Sequence, residues 1–302
     1  MNPARNEEIA QPYDLEKSLK HWLRKLQEDY NHIDNNVKLI STHQAVPTSL
    51  VEYIFIFSRK FGLSFEVKYL AVDLFDRFIR NQFRDVYDEI FKGSRRHAKE
   101  KWDKVETRIC NQLELRILSC LQIASKFVSE NLIHSRIITA KDIHEFLDDE
   151  VSFSMHEIKT SEFRVFKTLK FRINLQTIIT FLDATLTIVH RKLFEASDLE
   201  ILREKCYKVC EVLYLNHQEI FHLFHRKLTG LWERSYKDRL RFCTVESNGL
   251  LKSAAVILTA AQLFQIPDGK KKVLMTELSK MTNSNSNCIE CLSKIILEVI
   301  FE

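Results

Sequence analysis

Apolar residues recur at helical spacing through most of this chain. Over residues 13–30, Leu15, Leu19, Trp22, Leu26 and Tyr30 fall on one face of a helix, and Asp14 is placed to cap it. A polar stretch leads to Pro47, Thr48 and Ser49, which open a second helix carrying Leu50, Tyr53, Ile54 and Phe57 and ending near Gly62. Residues 67–78 predict a third helix through Leu70, Leu74, Phe75 and Phe78. Residues 80–112 are polar and read as an insertion. Residues 117–125 hold no charge. They are too short to cross a membrane and lack the alternation of a strand, so they predict a helix buried nearly all round. Lys126 follows at once. Two more helices are expected at 139–147, capped by Thr139 with Asp142, and at 155–170.

On a wheel of about 100° per residue, Met155, Ile158, Val165, Phe166 and Leu169 share one face of the last helix. Glu157, Thr160, Arg164 and Lys167 lie opposite. Glu162 falls inside the apolar stripe, where an ionised carboxylate needs a cation or a hydrogen-bond donor. The expectation is that it meets a cation in the fold or marks a face that a partner covers.

The second half repeats the plan, with helical patterns at 178–189, 199–215, 249–264, 271–281 and 287–300. Its uncharged helix around Ala261 matches the one around Ala124, and Leu263 stands where the first half has Lys126. Such a pattern predicts a duplicated all-α domain. The expected divisions are an N-terminal helix and linker over 1–44, a first domain over 45–176 with a basic insertion at about 80–112, and a second over 177–302.

Composition narrows the function. With 5 Gly and 4 Pro in 302 residues, the chain is poor in the tight turns that sheets need. The five glycines are scattered, which excludes glycine-rich phosphate loops. Neither G-x-S-x-G nor H-E-x-x-H occurs. No catalytic residue, metal site or cofactor is therefore expected. His217, His222 and His225 read as core or surface side chains, and Cys206, Cys210, Cys288 and Cys291 as buried small apolar ones. The N-terminus lacks an apolar signal core, so a reduced thiol state in the cytosol or nucleus is expected, away from membranes. Formal net charge is +4. Residues 92–104 hold six Lys and Arg against two acids, an excess equal to that of the whole chain. This segment reads as a solvated loop or, through Arg95, Arg96, Lys99 and Lys101, as a contact for an acidic partner or nucleic acid.

Several segments resemble the cyclin family. They are residues 70–79 (Leu-Ala-Val-Asp-Leu-Phe-Asp-Arg-Phe-Ile), residues 121–127 with Ala124-Ser125-Lys126, and residues 162–175, which run from Glu162 through Phe166 to Phe171, Ile173 and Leu175. The resemblance implies two tandem five-helix cyclin boxes behind an N-terminal helix, and a regulatory role without catalysis. It also implies that Lys126 and Glu162 hydrogen-bond a cyclin-dependent kinase near its mobile αC helix, with Ile123, Phe127, Phe166, Phe171 and Ile173 packed around them. Residues 46–50 (Val-Pro-Thr-Ser-Leu) depart from the family's substrate-docking motif, and Tyr53 stands at its usual Trp.

Residues 115–126, 170–175 and 214–221 are similar to a meiotic branch of that family. This implies partners among meiotic recombination proteins, a role in crossover maturation, and a place in the nucleus on meiotic chromosomes. Two other readings stay open. One is a kinase-independent scaffold in recombination complexes. The other is a cyclin-fold protein that contacts DNA directly, as some transcription factors do.

Overall fold

The computed structural model describes residues 46–91, 97–129, 136–147, 153–173, 177–193, 198–232 and 236–302, with Lys17, Ser18, Lys20, His21 and Leu23. Among them the regular structure is all helical. Among the described residues the chain forms two compact units, Ser49–Asn174 and Leu175–Glu302. In the expected N-terminal helix, Leu23 is fully buried. Leu15, Leu19, Trp22, Leu26 and Tyr30 lie outside the described residues.

The first unit contains α1 (Thr48–Lys60), α2 (Phe65–Phe91), α3 (Ala98–Asn111), α4 (Leu113–Ser129), α5 (Ala140–Leu147) and α6 (Met155–Thr168). The central element is α4, which packs on α2, α3 and α6. Residues 117–125 are buried as expected, with Ala124 completely covered. Short side chains such as Ala124 let neighbouring helices approach closely. Thr139 and Asp142 cap α5 reciprocally: Thr139 N donates to Asp142 Oδ2 at 2.7 Å and Asp142 N to Thr139 Oγ1 at 3.2 Å. A second capping box, Ser154 with Glu157, starts α6.

The loop reading of the basic segment 92–104 is corrected over 98–104, and most of 80–112 is helix. α2 continues to Phe91, and α3 fills Ala98–Asn111. Aromatic packing explains the difference. Trp102 on α3 is buried edge-on to Phe83 at 5.5 Å and lies 6.1 Å from Phe91. Phe83 and Tyr87, one helical turn apart, extend the apolar face of α2, and each such ring pair adds about 0.5–1.5 kcal/mol beyond its buried area.

The second unit contains α7 (Ile178–Leu193), α8 (Asp198–Leu215), α9 (His217–Thr229), α10 (Tyr236–Glu246), α11 (Gly249–Leu263), α12 (Asp268–Thr282) and α13 (Ser286–Phe301). The sequence reading had no helices at α9 and α10. Here α11 is central, packed on α7, α8, α12 and α13, and its residues 251–261 are all buried, Ala261 among them. Gly249 begins it because a Cβ there would lie 2.6 Å from the Phe181 ring of α7.

Candidate partner-binding site

The two charged residues that the sequence singled out meet. Lys126, in the last turn of α4, donates from Nζ to Glu162 Oε1 of α6 at 2.5 Å. Their side chains are 43% and 23% exposed, so the pair sits at the surface, with the carboxylate the deeper partner. The carboxylate in the apolar stripe of α6 thus has its cation from a neighbouring helix.

Aromatic rings surround the pair. Phe127 and Phe166 are half-buried, with centroids 6.1 Å apart. Phe166 meets Phe171 edge-on at 5.2 Å, and Phe171 lies 6.4 Å from Phe163. Phe163 and Phe171 are 60% and 57% exposed. Adjacent phenylalanines this open are an apolar surface without a cover. The sequence reading did not single out Phe163, although on the wheel it lies about 60° from Phe166. Ile173, two residues after Phe171, is half-buried. Ile123 is corrected: it is 2% exposed and serves the core of α4 rather than the surface.

A strained turn presents Phe171. Lys170 and Phe171 both take left-handed backbone conformations, with φ of 53° and 56°. The turn closes α6 by hydrogen bonds from Lys170 N to Lys167 O at 2.9 Å and from Phe171 N to Phe166 O at 3.0 Å, a Schellman pattern that usually places glycine where Lys170 stands. α2 braces it. Arg77 Nη1 donates to Arg172 O at 2.9 Å, and Asn81 Nδ2 to Thr168 O at 3.3 Å. Arg77 is itself held by Asp73 Oδ2 at 2.9 Å.

Beneath the site, α4 and α6 are tied by buried polar contacts. Ser119 Oγ and Ser161 Oγ share a hydrogen bond of 2.6 Å, and Arg116 Nη1 donates to Ser161 Oγ at 2.6 Å. Burial, with help from nearby Arg164, pulls the Arg116 guanidinium down to about 10, which leaves it charged at neutral pH.

Other candidates fall elsewhere. Lys99 and Lys101 are exposed on α3, while Arg95 and Arg96 lie outside the described residues. His217 and His225 are buried against Phe221 and Phe242, and His222 points outward, so the three do not converge. Among the described residues no group of His, Cys, Asp and Glu could hold a metal ion. Cys206 and Cys210 are buried as expected; Cys288 and Cys291 are corrected to half-exposed, and none of the seven cysteines is bridged. In the stretch that departs from the docking motif, Val46, Leu50 and Tyr53 are buried, and the Tyr53 hydroxyl donates to Glu114 Oε1 at 2.5 Å. No helix among the described residues is long and apolar enough to cross a membrane.

Residues 17–174 match the family described as Cyclin, N-terminal domain. The chain belongs to the cyclin family. Two curated relatives, from human and mouse, both carry the name Cyclin N-terminal domain-containing protein 1. The human protein is 25% identical over 214 residues, covering 70% of this cyclin and 64% of the relative. The mouse protein is 26% identical over 219 residues, covering 71% and 64%. This cyclin therefore matches less than two thirds of either relative's length. Its fold is also that of a viral cyclin from herpesvirus saimiri solved by X-ray, with a TM-score of 0.51 at 14% identity over 93% of this chain and 99% of the other. The Lys126–Glu162 pair and its phenylalanines lie within the segment that matches the family.

Proposed function

We propose that this cyclin is a regulatory, non-catalytic subunit that binds a cyclin-dependent kinase through the α4–α6 face of its first unit. The observation that carries the reading is a charged pair at the surface, Lys126 with Glu162, set among Phe127, Phe163, Phe166 and Phe171. The core has no need of two phenylalanines more than half exposed. A partner helix does, because interfaces draw most of their energy from a few desolvated anchors. A cyclin that binds one kinase conformation shifts the population towards it, and an inward αC helix is the one that organises ATP. The setting proposed is meiotic recombination: crossover maturation, with recombination proteins as further partners, in the nucleus on meiotic chromosomes. Its support is the similarity of residues 115–126, 170–175 and 214–221 to meiotic members of the family.

The test is binding to purified cyclin-dependent kinases, with Lys126→Ala/Glu162→Ala beside the unchanged chain. A buried, charge-assisted contact predicts a loss of about 2–5 kcal/mol of binding. Folding should change by about 1 kcal/mol or less, because the pair is partly exposed. Unchanged affinity in the double variant ends the kinase reading. A meiotic pull-down that recovers recombination proteins but no kinase favours the scaffold.

A further inference from the structure

The phenylalanine face is ringed by cations that have no carboxylate. On α6, Lys159 stands one turn before Phe163 and Lys167 one turn after it. Lys170 and Arg172 flank Phe171 in the exit turn, and all four side chains are exposed. Among the described residues none of the four makes an ion pair. Glu162 and Asp73 are already engaged, by Lys126 and by Arg77. Arg164 does not belong to this set; it lies on the side of α6 that adjoins Arg116.

An uncovered apolar centre with a rim of one sign specifies its complement. We propose that the occupant of this face is an acidic amphipathic helix, whose apolar side chains cover Phe163, Phe166 and Phe171 and whose flanking carboxylates meet Lys159, Lys167, Lys170 and Arg172. The inference rests on the reading of this face as the partner-binding one and adds the chemistry of what binds. The rim charges act on encounter and on selectivity, steering acidic helices in and repelling basic ones. Exposed aromatics among lysines also suit single-stranded nucleic acid. Here, however, ring centroids stand 5.2 to 6.4 Å apart and leave no slot for an inserted base. Glu162 puts a carboxylate inside the patch, where a phosphate chain would run.

The experiment uses the full chain and three designed peptides. Each carries leucines on one helical face, with Glu, Gln or Lys at the flanking positions. At about 50 mM sodium chloride the Glu peptide should bind at least about tenfold more tightly than the Gln peptide, and the Lys peptide most weakly; the differences should collapse by about 500 mM. The variant Lys159→Glu/Lys167→Glu/Lys170→Glu/Arg172→Glu should reverse the order, with its melting checked by circular dichroism. Should that variant unfold, the four Gln substitutions at the same positions should make the three peptides equal. Equal binding of the peptides to the unchanged chain overturns the proposal, as does an oligo(dT) strand that outcompetes the Glu peptide. A kinase that binds the unchanged chain and the Glu variant equally refutes the acidic partner but not the kinase. Glu-peptide selectivity without any kinase binding refutes the kinase but not the surface.

Discussion

The first unit carries a cation in the last turn of its central helix, where the second carries an aliphatic side chain. In other respects the two helices are built alike. Both are uncharged through their middle and carry a fully covered alanine, Ala124 in α4 and Ala261 in α11. Each is braced to the last helix of its unit by a buried hydroxyl pair, Ser119 with Ser161 at 2.6 Å and Thr259 with Ser293 at 2.9 Å. The second unit thus shows what the fold requires: a small residue at the close approach and a polar tie across it. Leu263, half-buried at the position matching Lys126, shows what the fold does without. The Lys126–Glu162 pair is therefore an addition of the first unit. Surface ion pairs of this kind contribute about 0–1 kcal/mol to folding, so the fold draws little from it.

The strongest test of the shared plan is to overfill it twice. Ala124→Phe and Ala261→Phe each push a ring into a site with no exposed area. Each should cost about 3 kcal/mol, the upper end of ordinary overpacking, read from urea unfolding. If one variant melts like the unchanged chain, the two helices do not share a role and the duplication fails at its centre.

The sequence shows that shared plan because it is written in periodicity. An uncharged stretch too short for a membrane has one stable place, the middle of a bundle, and both copies show it. Glu162 was legible for the opposite reason: a carboxylate in an apolar stripe needs a cation, and Lys126 provides it. The basic segment was misread because its charges hid the spacing of Phe83, Tyr87, Phe91 and Trp102, whose packing makes helices of α3 and the end of α2. Ile123 enters the site only through the family resemblance, whereas the uncharged pattern of 117–125 already implies a core position, and the structure sides with the pattern. Phe163 lies at the margin of the stripe, and its exposure depends on how α6 sits on α4, which pattern does not encode.

Both units also bury an acid, Asp76 in the first and Glu246 in the second. In the first unit, α2 buries Asp76, 3% exposed and ion-paired with Arg80. Burial raises its carboxyl to about 6 against the attraction of Arg80, with Asp73 adding to the rise and Arg77 opposing it. A carboxyl raised in the fold binds its proton more tightly there than in the unfolded chain. Its contribution is present in full below the ordinary value of 3.8 and is lost as pH rises through about 6. The stability of the unchanged chain relative to Asp76→Asn should therefore fall by about 2–3 kcal/mol between about pH 4 and about pH 7. Urea titrations of both proteins at the two pH values measure it. Parallel pH profiles would show that Asp76 carries no such proton linkage.

The smallest expected effect concerns the turns. α6 closes through Lys170 and α11 through Gln265, both left-handed, with φ of 53° and 55°. The pattern of bonds is the same: Gln265 N reaches Gln262 O at 2.9 Å and Ile266 N reaches Ala261 O at 3.3 Å. A side chain in this conformation strains the backbone by about 1–2 kcal/mol, and glycine removes the strain at some cost in unfolded-state entropy. Lys170→Gly and Gln265→Gly should each stabilise the chain by about 0.5–1 kcal/mol, a rise of a few degrees in melting temperature. The turns differ in their bracing, since α6 has Arg77 on Arg172 O and Asn81 on Thr168 O. Arg77→Ala removes the bond to Arg172 O and the pair with Asp73 together and should lower stability by about 1–2 kcal/mol, of which Lys170→Gly should restore about 0.5–1 kcal/mol in that background. If Lys170→Gly gives no gain while Gln265→Gly does, the left-handed pair at Lys170 and Phe171 is held by more than its own backbone, and the contrast between the two helix ends extends from charge to backbone conformation.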